Sequence, residues 1–334
     1  MQAHILIISN PISGDGTGPV LIREQIEPAL AGLQYEVHQT THPGSAGEVA
    51  LSFLERHSDS SKPIVFIVSG GDGTLHEVVN GIGMPTRPIQ VVLCPHGTAN
   101  ALYSTLFPTK SSSSADYRLQ SFQAFLEGRT KPLSVTRTEI SNGEGEVVQS
   151  CLGVVVASTS LHAAILDAAE HLRQKIPSLE RFKVAAMENI SNWYHSEVVL
   201  EKPAIYRPDS KTFTSLATDE AVSGPFAYFL STVNVDRLEP TFIISPLFSQ
   251  KPPTTGEIDL VVVRPLRQPS LRSDTQEARK AFAPVLINVL QSAYLEGSHI
   301  SLKYEPDSDT DDPYIVEYLR CGGWKWRPVR FLLS

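Results

Sequence analysis

Cysteine is scarce in this chain of 334 residues, with only Cys94, Cys151 and Cys321. They are odd in number, far apart and without metal-ligand spacing, which argues against a disulfide framework or a metal knuckle and for reduced thiols in a cytoplasmic protein. Positive charge is also short: 28 Lys and Arg face 36 Asp and Glu, a net charge of -8. That balance excludes the basic footprint nucleic acid requires, so no nucleic-acid partner is expected. No run approaches the roughly 20 apolar residues of a membrane span. The apolar start of the chain is interrupted by Asn10-Pro11 too early for a signal peptide, so a soluble protein without a transmembrane segment is expected. The acidic run Asp307 to Asp312 fails the calcium-loop pattern, with Asp312 at position six where glycine belongs and Tyr318 at position twelve where glutamate belongs, and reads as a solvated loop.

Glycine, by contrast, is concentrated where it counts. Pro63 to Ile82 begins with the β-branched and aromatic run Ile64 to Val68, a buried strand. It ends in a helical pattern, where Thr74 with Glu77 three residues on resembles a capping box and sets the expected helix start near Thr74. Between them lies Ser69-Gly70-Gly71-Asp72-Gly73. A strand running through consecutive glycines into a helix N-terminus leaves unpaired N–H groups at the positive end of the helix dipole, which is a phosphate cradle.

Two further stretches repeat the design. His4 to Ser9 reads as a strand ending in Asn10-Pro11-Ile12-Ser13-Gly14-Asp15-Gly16-Thr17-Gly18, ahead of a helix with Val20, Leu21, Ile26 and Leu30 on one side. Ile89 to Cys94 runs into Pro95-His96-Gly97-Thr98-Ala99-Asn100. Tyr35 to Gln39 is a further strand, and a helix covers about Ala46 to His57. Alternating strands and helices imply a doubly wound, mostly parallel sheet, which binds ligands outside the carboxyl ends of its strands.

The loop matches neither the P-loop nor the dinucleotide fingerprint. Gly70-Gly71-Asp72-Gly73-Thr74 resembles the signature of the diacylglycerol kinase and sphingosine kinase family. The Asn-Pro-x-Ser-Gly element at Asn10 and the Gly-Thr-x-Asn element at Gly97 are similar to that family's other motifs. The resemblance implies an α/β domain like that of NAD kinase or phosphofructokinase, with ATP held by Asn10, Pro11, Ser13, Gly14, Thr40, Gly70, Gly71, Asp72, Gly73, Thr74, Glu77, Gly97, Thr98 and Asn100. Magnesium would arrive with the nucleotide, no metal ligand being assigned to a side chain. Asp72, the one acid inside the second turn, would be the general base, against the alternative that it only accepts backbone hydrogen bonds.

Near Pro132 the pattern changes to a succession of short strands: Val135 to Ile140, Val147 to Leu152, Val154 to Ala157, Val198 to Leu200, Tyr228 to Val233 and Asp259 to Val263. A helical stretch interrupts them from about Leu161 to Ser191, and an apolar one, Ala281 to Leu295, contains Pro284. The expected division is thus 1–131, nucleotide-binding, and 132–334, a β-rich and largely antiparallel domain that the resemblance assigns to a lipid met at a membrane surface. Lys110 to Ser114 reads as a polar insertion. Family carboxylates are replaced at Ser134, Thr255 and Cys321. Ala164 stands where the family's lipid-binding Asp would be, leaving Asp167 one turn on as the substrate candidate. Three functions follow: a lipid kinase acting on diacylglycerol or a sphingoid base, a nucleotide-binding pseudokinase, and a kinase of a soluble small molecule.

Overall fold

The computed structural model describes residues 3–109, 114–176, 178, 180–217, 221–304 and 312–329. The polar insertion at 110–113 and the acidic run at 307–311 lie outside them. The chain forms two compact units, Met1–Val155 with Leu238–Pro240, and Val156–Arg237 with Thr241–Ser334.

The first unit runs β1 (His4–Ser9), α1 (Gly18–Leu21) continuing through a π-helical turn at Ile22–Ile26 into α2 (Glu27–Ala29), β2 (Tyr35–Gln39), α3 (Ser45–Arg56), β3 (Ile64–Gly70), α4 (Asp72–Ile82), β4 (Ile89–Pro95), α5 (Ala101–Leu106), α6 (Ala115–Arg118), α7 (Gln120–Leu126), β5 (Thr136–Ser141) and β6 (Val147–Gly153). Strands β2-β1-β3-β4 form a parallel sheet in that order. Strand side chains alternate between faces. Ile5, Ile7, Val65 and Ile67 therefore pack against Leu21, Ile22, Ile26, Leu30 and Phe122 on one face. Leu6, Ile8, Phe66 and Val68 pack against Ala46, Phe53 and Val78 of α3 and α4 on the other. Val20, expected on the apolar side, is exposed, while Leu21 and Ile22 are buried. Helices α3 and α4 touch through Gly47 and Gly81, where a Cβ on Gly81 would sit 2.2 Å from the Gly47 carbonyl oxygen.

Residues 132–153, grouped by pattern with the β-rich part, form hairpin β5–β6 on the first unit. Asn80 of α4 holds it there: its Nδ2 donates to the Leu152 carbonyl at 2.9 Å and its Oδ1 accepts from the Leu152 N–H at 2.8 Å.

The second unit contains β7 (Val156–Thr159), α8 (Ser160–Leu172), α9 (Glu180–Asn189), β8 (Ser196–Glu201), β9 (Ala204–Arg207), β10 (Thr212–Ser215), β11 (Ala221–Ser223), β12 (Tyr228–Thr232), α10 (Pro246–Gln250), β13 (Ile258–Val263), α11 (Gln276–Ala293), β14 (Glu317–Cys321) and β15 (Gly323–Pro328). All its strand pairs are antiparallel, in a six-stranded sheet β10-β9-β14-β13-β12-β7 and a three-stranded sheet β11-β8-β15. Val198 and Leu200 of one sheet meet Phe229, Leu260, Val262 and Leu319 of the other, with Trp324 and Trp326 packed beside them. The helical stretch expected from about Leu161 to Ser191 consists of two helices, α8 and α9. Pro284 lies inside α11 without ending it. Among the described residues no helix is long and apolar enough to cross a membrane.

Candidate functional site

The order 2-1-3-4 places the topological switch point between β1 and β3, and the crevice outside their carboxyl ends is where open α/β sheets bind ligands. Three turns lie there. The first leaves β1 at Asn10, whose N–H donates to the Ser69 carbonyl at 2.8 Å and whose Nδ2 donates to Thr74 Oγ1 at 3.2 Å. Gly14 has φ +55°, and a Cβ there would lie 2.1 Å from the His96 carbonyl oxygen. The second turn runs from Gly70 into α4. The third begins where the His96 N–H donates to the Gly70 carbonyl at 2.9 Å, and is closed by Asn100, which bonds both the N–H and the carbonyl of Gly97 at 2.9 and 2.8 Å.

Helix α4 starts at Asp72, two residues before the expected Thr74, with Gly71 as its cap in extended backbone. The apparent capping box does other work. Thr74 Oγ1 accepts from Asn10, and Glu77 Oε2 accepts from the Ala46 N–H at 3.3 Å, at the start of α3.

The glycines divide by what surrounds them. A Cβ on Gly97 would be 2.4 Å from Gly71 Cα, and one on Gly71 would be 2.9 Å from Gly97 Cα, so these two let the second and third turns touch. Gly70 is confined by Thr74 in the same way. Gly73 is different: nothing lies within 4 Å of a Cβ there, and it is exposed. It sits in the first turn of α4, where N–H groups have no partner within the helix and the dipole favours an anion.

Asp72 does not bond its own turn. Its Oδ2 accepts from the Ala101 N–H at 2.7 Å and its Oδ1 from the Leu102 N–H at 3.3 Å, tying α4 to the start of α5. Burial pushes this carboxyl above the usual carboxylate range, and the two N–H groups oppose the shift. A cavity of about 20 Å³, room for one water, lies beside it against Gly70, Asn100 and Tyr103.

The structure thus brings together Asn10, Gly14, Gly70, Gly71, Asp72, Gly73, Thr74, Gly97 and Asn100. Pro11 and Ser13 complete the first turn, Thr98 is exposed in the third, and Thr40 follows β2, its N–H donating to the Ser9 carbonyl at 2.8 Å. Sequence reasoning missed two residues. His96 is 2% exposed, with Nδ1 3.0 Å from Ser69 Oγ and 3.2 Å from the Cys94 carbonyl, and burial lowers its pKa. Arg118 reaches the first turn from α6. Neither belongs to a motif, though His96 does sit between Pro95 and Gly97.

In the second unit, Thr255 is exposed in the turn before Gly256, and burial pushes the Cys321 thiol up to about 12. Asp259 is fully buried and satisfied by Arg320 Nε at 2.7 Å and the Tyr318 hydroxyl at 2.7 Å. Among the described residues no group of three or more His, Cys, Asp or Glu is placed to hold a metal ion. Asp167, with Ala163, Ala164, Trp193 and Trp326, lines an open cleft of about 650 Å³ within this unit.

Three strand-to-helix turns thus converge at the switch point of a parallel sheet, outside the carboxyl ends of its strands, where open α/β sheets bind ligands. Residues 4–149 match the diacylglycerol kinase catalytic domain. The chain is 34% identical over 119 residues to sphingoid long-chain bases kinase 1 of Arabidopsis thaliana, covering 33% of this chain and 15% of that one. It is 35% identical over 123 residues to the diacylglycerol kinase of Staphylococcus saprophyticus, covering 35% and 37%. Human mitochondrial acylglycerol kinase is 29% identical over 136 residues, covering 39% and 30%. The matched segments thus span well under half of each relative. The whole fold is similar to that of a Bacillus anthracis protein assigned as a diacylglycerol kinase, with a TM-score of 0.56 at 14% identity over 98% of this chain and 87% of that one.

Proposed function

We propose that the protein is an ATP-dependent lipid kinase that transfers the γ-phosphoryl group to a hydroxyl of a diacylglycerol or a sphingoid base. The observation that carries this is Gly73, a first-turn glycine that no neighbouring atom requires, at the mouth of three converging turns. The N–H groups of the first turn of α4 bind and orient the phosphates, while Gly71 and Gly97 keep the turns in contact. Magnesium arriving with the nucleotide would supply positive charge against the phosphates. Phosphoryl transfer asks the protein mainly for such positioning and charge stabilisation.

In the transfer, the lipid hydroxyl oxygen bonds to the γ-phosphorus as the bond to the β,γ-bridging oxygen breaks, its electron pair leaving with ADP. The hydroxyl proton passes to Asp72, whose raised pKa suits a base and whose carboxylate retains lone pairs beyond the two that hold α5. The cleft lined by Asp167 and two tryptophans is the lipid site in this reading, apolar along its walls with a carboxylate at hand. The lipid is met at a membrane surface by a protein that otherwise stays in the cytoplasm.

A second reading, a nucleotide-binding pseudokinase, is favoured by the hydrogen bonds that already engage Asp72 and by Thr255 and Cys321 in place of carboxylates. Asp72→Asn separates the two: a kinase loses transfer and keeps nucleotide binding, whereas a pseudokinase has no transfer to lose.

A further inference from the structure

The three turns contain no lysine or arginine of their own. Asn10 to Gly18, Ser69 to Thr74 and His96 to Asn100 hold only the acids Asp15 and Asp72. A guanidinium does reach the first turn, from the last residue of α6. Arg118 donates from Nη1 to Thr17 Oγ1 at 2.6 Å and from Nη2 to Asp15 Oδ2 at 2.8 Å. Asp15 Oδ1 in turn accepts from the Thr17 N–H at 3.1 Å and the Thr17 hydroxyl at 2.7 Å, so the three residues form a closed ring of hydrogen bonds. The Arg118 side chain is 17% exposed, and its Nε is buried without a partner among the described residues. On its other side the same turn leans on His96, which stands against Gly14 and Gly18.

We propose that Arg118 is a positioning residue for the nucleotide: it latches the first turn in its receiving shape and masks the charge of Asp15, which otherwise repels the polyphosphate. The inference rests on the nucleotide-binding reading above. It explains why an acid is tolerated in a phosphate-receiving loop. The guanidinium, with help from the Thr17 hydrogen bonds, holds the Asp15 carboxyl well below the usual carboxylate range, so the acid keeps its charge beside Arg118. A two-pronged contact to a carboxylate and a hydroxyl on one loop fixes position as well as charge.

The masking part makes a prediction that a merely structural role does not. Arg118→Ala leaves Asp15 bare and weakens ATP·Mg binding by about tenfold, the scale of a charge-assisted hydrogen bond. Asp15→Asn combined with Arg118→Ala removes the bare charge and recovers most of that loss. In kinetics the loss appears in KM for ATP far more than in kcat at saturating ATP, and Arg118→Lys is intermediate. Arg118→Gln, nearly isosteric, serves if the alanine variant folds poorly. The measurement is ATP·Mg affinity by equilibrium dialysis for wild type, both single variants and the double. A double variant that binds as weakly as Arg118→Ala, or weaker, overturns masking, and an Arg118→Ala protein that binds as the wild type does overturns the latch altogether. A wild type that binds no nucleotide instead removes the functional reading on which the latch rests.

Discussion

Replacing Gly73 by alanine separates the two reasons a loop keeps a glycine. Gly71 and Gly97 are held by the fold, since a Cβ on either would strike the other's backbone at 2.9 or 2.4 Å. Gly73 meets nothing within 4 Å and lies in the first turn of a helix, so within the protein alone alanine is the better residue there. The gain on substitution is about 0.5 to 1 kcal/mol, from lower backbone entropy in the unfolded chain. For a folding unit of this size that is a rise in Tm of about 1 to 4 °C. With nucleotide the sign reverses, because the methyl group occupies the approach of the phosphates. At ATP·Mg equal to 100 times Kd the wild type gains about 2.7 kcal/mol, and a hundredfold rise in Kd cuts this to about 0.4 kcal/mol. Differential scanning fluorimetry with and without ATP·Mg reads both effects. Gly71→Ala is the control: it lowers stability without ligand by about 1 to 3 kcal/mol, as overpacking does. A Gly73→Ala protein that melts below the wild type without nucleotide, or responds to nucleotide equally, refutes the assignment.

Four further outcomes rest on other contacts. Asp72→Asn lowers phosphoryl transfer by about 10² to 10⁴ in a radiolabel assay. The same variant loses about 1 to 3 kcal/mol in urea unfolding, because its amide leaves one of the Ala101 and Leu102 N–H groups without an acceptor. Gly81→Ala costs about 1 to 3 kcal/mol, since its Cβ meets the Gly47 carbonyl oxygen at 2.2 Å and forces α3 and α4 apart; unchanged urea stability contradicts this packing. His299 is fully buried, donates from Nε2 to the Ile244 carbonyl at 3.0 Å, and has its pKa lowered by burial from 6.5 to about 4. The unfolded state therefore binds the extra proton between those values, so stability falls as pH drops from 6.5 to 4, by on the order of 3 kcal/mol. His299→Gln keeps a donor and flattens that slope in urea titrations at several pH values, and an unchanged slope places the effect elsewhere.

The strand-turn-helix units were legible because their signals are local: a β-branched run, then glycines, then helical spacing. From three of them the parallel sheet followed, and with it the place where the three turns converge. What the sequence hid depends on partners far along the chain. Thr74 and Glu77 satisfy a capping pattern, yet Asn10 and Ala46 claim their side chains, and the helix starts two residues earlier on Gly71. Asp72 stands in one turn and serves the helix after another, 29 residues on. Hairpin β5–β6 reads like its antiparallel successors, and only the Asn80 amide shows where it attaches. Arg118 carries no local signal, since one arginine in a short helix gains meaning only from Asp15 and Thr17 opposite it. In the second unit, periodicity marked the strands, but the pairing of β14 with both β9 and β13 joins segments about 60 to 115 residues apart that no spacing rule connects.

The central claim is phosphoryl transfer to a lipid, and it is tested most directly by incubating the pure protein with γ-labelled ATP, magnesium and a panel of diacylglycerols, sphingoid bases and monoacylglycerols in mixed micelles. Label is expected in at least one extracted lipid and is lost in Asp72→Asn. Protein that binds ATP·Mg yet labels no lipid contradicts the claim.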